Sequence, residues 1–239
     1  MKKLLLLAGI FTCFQSFQFW KVVHGNGIEK TEERNISGYN SISGNGPISI
    51  DISYGETNSI SIEADENILP YVETKLKDGK LTIKVKDMVT IKPIVPVKVH
   101  ISMKDIKSIS QSGSGAITGN GEFMNDGQTY FNVSGSGNIN LSFARFNDAK
   151  ISMSGSGILE LQGDILHNLE VKQSGSGRIN CTKAPCANIT AKLSGSGNLK
   201  VNATNAISAQ ISGSGHIQYL GDATQINTKI SGSGSIEKM

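Results

Sequence analysis

The sequence predicts an all-β protein, a right-handed parallel β-helix-like solenoid built from Ser-Gly-Ser-Gly repeats with a less regular N-terminal β portion. The first observation is a tetrapeptide, Ser-Gly-Ser-Gly, that occurs seven times at intervals of 18 to 22 residues. A period near 20 residues is typical of solenoids, in which each coil buries its apolar face against its neighbours. The copies begin at Ser112, Ser134, Ser154, Ser174, Ser194, Ser212 and Ser231.

The second observation is strict alternation of apolar and polar residues on both sides of each tetrapeptide. The fifth residue after the first serine is apolar in every copy, and the residues of opposite parity are mostly polar. A period of two residues predicts β-strands with one buried and one solvated face. Each repeat therefore reads as strand, corner, strand and loop. The apolar fifth residues are Ile117, Ile139, Leu159, Ile179, Leu199, Ile217 and Ile236.

The two glycines of each tetrapeptide argue against helices and for corners. Each glycine would cost a helix about 1 kcal/mol, whereas a corner can use positive φ or close backbone approach at no Cβ penalty. An antiparallel meander, with each tetrapeptide as a hairpin turn, is the alternative topology. The near-constant period and the repeated parity favour the parallel solenoid.

The chain divides into a predicted signal peptide and one long β domain. Residues 1–22 begin with Met1-Lys2-Lys3 and a short apolar run, which is typical of an export signal; its cleavage site is not defined. Residues 28–239 form the predicted solenoid domain. Within it, residues 28–105 are an irregular β portion that serves as a cap, and residues 106–239 hold the seven regular repeats.

Three local signals lie in the irregular portion. Lys77-Asp78-Gly79-Lys80 between two alternating runs predicts a hairpin. Residues 66–72, interrupted by Pro70, predict one short helical turn. Ser43-Gly44-Asn45-Gly46, followed by Ile48, resembles an eighth, diverged corner.

The net charge and the length of the apolar runs argue against two classes of partner, nucleic acid and a membrane crossed by a helix. The net charge of +3 falls to +1 without Lys2 and Lys3, which does not favour a nucleic-acid partner. No run after the signal is long enough to span a membrane as a helix. Cys13 raises the alternative of a lipid anchor, which the large residues before it disfavour.

The remaining cysteines leave two interpretations open. Cys181 and Cys186 could close a small disulfide loop in an exported protein. Cys181 occupies an inward position that holds leucine or valine in other repeats. A buried core cysteine is therefore the preferred interpretation.

The sequence contains no recognisable catalytic, cofactor-binding or metal-binding constellation. The four histidines do not stand at metal-ligand spacing from cysteines or carboxylates, and the serines lack a nucleophile-elbow motif. We therefore predict a protein that is not an enzyme. The alternative is a carbohydrate-active enzyme that would use the loop carboxylates Asp148, Asp164 and Asp222, since glycoside chemistry needs clustered acids.

One outward row could serve recognition. The residue after each tetrapeptide should stack into a ridge along the rod, suited to binding a glycan or a protein. An ordinary solvated face, or a purely structural envelope component, remains the alternative. The row consists of Ala116, Asn138, Ile158, Arg178, Asn198, His216 and Ser235.

Three short sequence segments, together with the Ser-Gly corners, resemble the sequence pattern of a known family. They are residues 36–42 (ISGYNSI), residues 60–70 (ISIEADENILP) and residues 97–101 (VKVHI). With the repeated Ser-Gly corners, the chain from Gly25 onward resembles the head GIN domain family of autotransporter-type adhesins.

The resemblance implies an exported Bacteroidota-like protein with a β-helix-like fold. It implies an adhesin-like role in the cell envelope, with the periplasm, the outer-membrane surface or the medium as location. It brings no catalytic or metal-binding residues to transfer. The commoner family corner is followed by an acidic residue, whereas here the followers are neutral or basic, so an acidic ladder would be missing.

Overall fold

The computed structural model describes residues 20–121, 123–163 and 166–239, and it confirms the predicted fold. The chain is 70% strand and forms a β-solenoid of about six turns with an irregular N-terminal part. The strands are β1 (Lys21–His24), β2 (Glu29–Glu33), β3 (Ser41–Asn45), β4 (Ser49–Tyr54), β5 (Ser59–Asp65), β6 (Val72–Lys77), β7 (Lys80–Val85), β8 (Val89–Lys92), β9 (Lys98–Met103), β10 (Ser108–Gly113), β11 (Ala116–Asn120), β12 (Met124–Gly135), β13 (Asn138–Ser142), β14 (Arg145–Gly155), β15 (Ile158–Gln162), β16 (Leu166–Gly175), β17 (Arg178–Gly195), β18 (Asn198–Gly213), β19 (His216–Leu220), β20 (Gln225–Ser231) and β21 (Ser235–Lys238).

Every coil contributes one strand before its corner and one strand after it. The strands before the corners pair in parallel to form the leading sheet: β3, β10, β12, β14, β16, the second halves of β17 and β18, and β20. The strands after the corners form the trailing sheet: β4, β11, β13, β15, the first halves of β17 and β18, β19 and β21. Parallel pairing along both sheets excludes the antiparallel meander.

The corners require glycine for two physical reasons. The first glycine of all seven tetrapeptides has positive φ, a conformation that side chains with a Cβ rarely adopt. Gly175 shows the second reason, because a Cβ there would lie 2.5 Å from the carbonyl oxygen of Gly155 in the coil before it. Neighbouring coils therefore approach backbone to backbone at each corner.

The first coil of the solenoid lies inside the irregular N-terminal portion. It consists of β3, a corner and β4, and it stacks directly on β10 and β11. The diverged corner is real, but its predicted alignment was wrong by two residues. Asn45 pairs with Ser112 and Ser49 with Ala116, so Asn45-Gly46-Pro47-Ile48 is the corner. The shift keeps the same parity, so inward and outward positions are unchanged.

Antiparallel strands close the N-terminal end. β5 pairs with β9 and β2 pairs with β5, while the β6–β7 hairpin continues the leading sheet beyond β3. The hairpin prediction is confirmed, since Asp78 and Gly79 both have positive φ at its turn. The predicted helical turn is a 3-10 helix at Leu69–Tyr71 that begins beside Pro70.

The predicted signal peptide falls mostly on residues that the structure does not describe. Residues 1–19, with the candidate lipid-anchor residue Cys13, lie outside the described residues. Lys21 and Val22 belong to β1, which pairs in parallel with β8.

The core is mainly apolar, and the alternation of the sequence did not indicate the two glutamines that it contains. Phe123, Phe131 and Phe146 are fully buried, and Phe143 packs edge or tilted against all three. Gln111 and Gln173 are also buried, at the inward position just before a corner. The side-chain oxygen of each has no hydrogen-bond partner among the described residues.

The cysteines behave as core residues. Cys181 and Cys186 are both free and fully buried, which confirms the preferred interpretation. Burial raises the pKa of each thiol to about 12. At neutral pH both are therefore protonated and poorly nucleophilic.

Candidate binding surface

The outward row after the corners is a continuous ladder, as the spacing predicts. All seven residues pair in register along the trailing sheet, from Ala116 to Ser235. Side chains link adjacent coils at two places. The Asn138 side-chain oxygen accepts a hydrogen bond from the Ile158 backbone N–H at 3.2 Å, and His216 Nδ1 lies 2.9 Å from Ser235 Oγ. These contacts join neighbouring coils.

Of the loop carboxylates proposed for the enzyme alternative, the two that the structure describes, Asp148 and Asp222, lie far apart. Asp148 lies in β14, and Asp222 precedes β20, four coils further along the leading sheet. Coils about 4.8 Å apart separate the two by roughly 19 Å along the rod. Asp164 lies outside the described residues.

Asp148 also has a structural role. Its Oδ1 accepts hydrogen bonds from the backbone and side-chain amides of Asn168, at 3.1 and 2.8 Å. Asn188 and Asn205 continue the same ladder of amides on the next coils. The carboxylate is therefore the first member of an asparagine ladder.

A groove of about 530 Å³ runs along the outer face of the leading sheet beside the corners. Two outward rows line it: one consists of serines alone, and the other holds two serines, one asparagine and two lysines. We call this surface the serine groove; its outward residues are Ser110, Ser112, Asn132, Ser134, Ser152, Ser154, Lys172, Ser174, Lys192 and Ser194. Five coils contribute, so the groove is roughly 19 Å long, with hydroxyls repeating about every 4.8 Å.

The serine row beside the corners has small side chains, whereas the next outward row beyond the two groove rows includes large ones. That next row carries Tyr130, Lys150 and Glu170 on successive strands of the leading sheet. Tyr130 is 43% exposed, and its hydroxyl donates to Gln128 Oε1 at 2.9 Å. An exposed aromatic ring therefore stands on the same strand as Asn132 and Ser134 of the groove.

The groove is neutral at one end and basic at the other. Lys172 Nζ contacts Glu170 Oε1 at 3.0 Å, and Lys150 holds the other oxygen of Glu170 at 2.8 Å. Hydrogen bonds from these two lysines keep the pKa of Glu170 below its usual range. Lys192, on the next coil, has no ion pair in the part of the chain that the structure describes. Among the described residues, it is the groove lysine without an ion pair.

The net charge of the chain changes sign along the rod. Residues 111–170 contain two basic and six acidic side chains, a net charge of −4, whereas residues 171–239 contain seven basic and two acidic, a net charge of +5. Lys172 and Lys192 stand at the start of the basic part. An acidic group on a ligand would therefore be attracted to that end of the groove.

The described residues offer neither a metal site nor a membrane-spanning helix. Residues 20–121, 123–163 and 166–239 contain no group of three or more His, Cys, Asp or Glu side chains placed to hold a metal ion. Over the same ranges, no helix has the length and apolar character needed to cross a membrane.

Comparison with known proteins gives one family and several solved structures. The family model described as "Putative auto-transporter adhesin, head GIN domain" matches residues 38–223. No curated protein matches the chain. A putative adhesin from Bacteroides fragilis has a similar structure, with a TM-score of 0.83 and 19% identity over 91% of this chain and 100% of that chain.

Two further structures come from Parabacteroides. One is described as a putative lipid binding protein from Parabacteroides distasonis, with a TM-score of 0.69 and 25% identity over 92% of this chain and 100% of that chain. The other is a putative adhesin from Parabacteroides merdae, with a TM-score of 0.65 and 24% identity over 92% and 99%.

Proposed function

The chain belongs to the head GIN domain family of putative auto-transporter adhesins, and from that premise we propose that it is an exported, non-enzymatic, adhesin-like protein of the cell envelope that binds a glycan in the serine groove. The observation that carries the proposal is the groove itself. It offers a regular array of hydroxyls on a rigid sheet, next to one exposed aromatic ring and one unpaired cation.

The chemistry of the groove suits a sugar chain. Hydroxyls donate and accept hydrogen bonds, as sugar hydroxyls do. The ring of Tyr130 supplies an apolar face on which the C–H face of a sugar can lie. Lys192 supplies a charge for a carboxylate or sulfate group on the glycan. We therefore propose an acidic glycan rather than a neutral one.

The rigidity of the rod supports binding rather than catalysis. The groove's own outward residues include no carboxylate and no histidine, so they offer no general acid or base of the kind that hydrolysis requires. A rigid, preformed array loses little conformational entropy when a ligand binds.

Lipid binding, the role given to the Parabacteroides distasonis protein, is a weaker candidate for this chain. The inward side chains pack against each other in one continuous core. An acyl chain would therefore have to lie in the serine groove, whose outward side chains are hydroxyls, an amide and two lysines and whose accessible surface is mostly carbon. The hydroxyls and lysines favour the glycan, because an acyl chain makes no hydrogen bond or ion pair with them.

Binding to an array of acidic and neutral glycans tests the proposal, with a matched pair of charge reversals. We expect Lys192→Glu to weaken binding of an acidic glycan at least tenfold, because it replaces attraction by repulsion inside the groove. Lys200→Glu makes the same change in net charge on the outer face of the trailing sheet, and should leave binding unchanged. Equal loss in both variants, or no binding to any glycan, would contradict the proposal; release of a shortened product would point to an enzyme instead.

A further inference from the structure

Among the described residues, β20 is the last strand at the C-terminal end of the leading sheet. At the N-terminal end, β7 and β9 pair in parallel with β3 and β4, and antiparallel strands continue both sheets beyond them. Over β20, by contrast, the described residues place no further strand. Ile207 and Ile211 of β18 are 1% exposed under β20, whereas their counterparts on β20, Ile226 and Ile230, are 44% and 41% exposed.

An uncovered terminal strand combines two unfavourable features. Its inward-facing isoleucines lose the apolar neighbour that every other coil has. One edge of its backbone also keeps unpaired N–H and C=O groups, which form a template for another strand. The end therefore favours addition of a strand from another molecule.

The sequence of β20 is symmetric about Thr228. Its inward residues are Ile226, Thr228 and Ile230, and its outward neighbours of Thr228 are Asn227 and Lys229. If a second copy of β20 pairs antiparallel with Thr228 opposite Thr228, each Ile226 faces an Ile230. Both apolar faces then lie on the same side of the joined sheet, as a two-fold axis requires.

The charges are compatible with this register. Lys229 is the only charged residue of β20, and it would lie opposite Asn227 of the second copy. Like charges directly opposite each other destabilise a strand pair, and this register avoids them. Pairing through β20 occupies this edge in both copies, so the contact closes on itself as a two-fold dimer.

We propose that two copies of this protein join end to end through an antiparallel pairing of their β20 strands, centred on Thr228. The joined leading sheets form one continuous sheet that carries two serine grooves related by the two-fold axis. A long glycan, or a surface with many glycans, would then engage both grooves at once and gain avidity. The dimer itself does not depend on the glycan proposal.

Two measurements test the dimer. Sedimentation velocity of the purified protein over a range of concentrations should show a monomer that converts to a dimer as concentration rises. Ile226→Lys combined with Ile230→Lys should remain a monomer throughout, because it places charge on the apolar end. Both side chains are already exposed in one copy, so the variant should keep the circular dichroism spectrum of the parent protein.

Cysteine cross-linking tests the register. Under mild oxidation we expect Thr228→Cys to form a disulfide-linked dimer, because the two copies of residue 228 face each other. Lys229→Cys is the matched control, since residue 229 faces residue 227 and should not cross-link; the unchanged protein controls for the native cysteines. A protein that stays monomeric at every concentration, or equal cross-linking of both variants, would overturn the proposal.

Discussion

At the scale of single residues, Asp65 connects the N-terminal segment to the cap. Its side chain is fully buried, and its carboxylate accepts hydrogen bonds from the backbone N–H groups of Gly27, Ile94 and Val95 at 2.6 to 3.0 Å. Burial by itself would raise the pKa of Asp65, but these hydrogen bonds outweigh it and hold the pKa below its ordinary value of 3.8. The charged form is therefore the one that stabilises the fold.

We expect Asp65→Asn to destabilise the protein by about 1.5–3 kcal/mol at neutral pH, because an amide cannot accept all three hydrogen bonds. The folded-state pKa is lowered, so the stabilisation is present above the unfolded pKa of about 4 and is lost as pH falls through the folded value. The difference in unfolding free energy between the two proteins should be constant above about pH 5 and shrink below pH 4. Chemical denaturation across this range measures it; a difference independent of pH would show that the charge has no role.

Gln173 is a polar residue at an inward position that both adjacent coils fill with apolar side chains. Its amide nitrogen donates to the Gly177 carbonyl oxygen, which also accepts from the Asn198 N–H, while its own oxygen has no partner among the described residues. Met153 and Leu193 occupy the same position on the adjacent coils. The amide is thus partly unsatisfied in an otherwise apolar layer.

We expect Gln173→Met to raise the free energy of unfolding by about 1 kcal/mol, because it removes a buried unpaired acceptor and leaves the Gly177 carbonyl paired. Thermal unfolding measures the change. The exposed Gln210→Met is the control and should leave Tm unchanged. A lower Tm for Gln173→Met would contradict this expectation. It would mean that the hydrogen bond of the amide stabilises the fold by more than the free-energy cost of burying the amide.

At the scale of the elements, the corners set the geometry of the whole rod. We expect Gly175→Val to destabilise the protein by about 1–3 kcal/mol or more, because a Cβ at φ +104° is strained and would contact the Gly155 carbonyl oxygen. Gly127→Val is the matched control, since a Cβ there would meet only Asn125 Oδ1 at 3.4 Å. Equal Tm values for both variants would show that the corner tolerates a side chain.

The corners and strands could be predicted because they depend on local chemistry that repeats. A glycine that needs positive φ recurs in every coil, and alternation fixes the inward face, so the ladder from Ala116 to Ser235 was predicted correctly. The first corner was misaligned because Asn45-Gly46-Pro47-Ile48 keeps only one of the four tetrapeptide residues. Pairing with Ser112, a contact between distant segments, is what fixes its register.

The serine groove could not be predicted because it depends on which outward residues of five separate coils lie side by side. Serines at the corners suggested scaffolding, and the outward row predicted to serve recognition lies on the other side of each corner. Only the parallel register brings Ser110, Ser152 and Lys192 onto one face. The buried role of Asp65 was likewise hidden, because its partners lie about 30 to 40 residues away in sequence.

At the scale of the whole molecule, stability should depend mainly on contacts between adjacent coils. Most coils have nearly the same length, and Gly175 and Gly195 occupy equivalent positions exactly one coil apart. A chain that lacks one complete coil would therefore bring together two coils that already have matching inward faces. After removal of residues 176–195, β16 would stack on the second half of β18, with Val171 over Ala209.

We expect the deletion of residues 176–195 to give a folded, shorter rod with cooperative unfolding and a moderately lower Tm. Deletion of residues 176–196 is the control: the extra residue shifts every following side chain by one position and turns the inward set toward solvent. Circular dichroism and thermal unfolding of both proteins distinguish the cases. Loss of folded structure in the 20-residue deletion would show that distant coils depend on each other, and that the rod is not an additive stack of nearest neighbours.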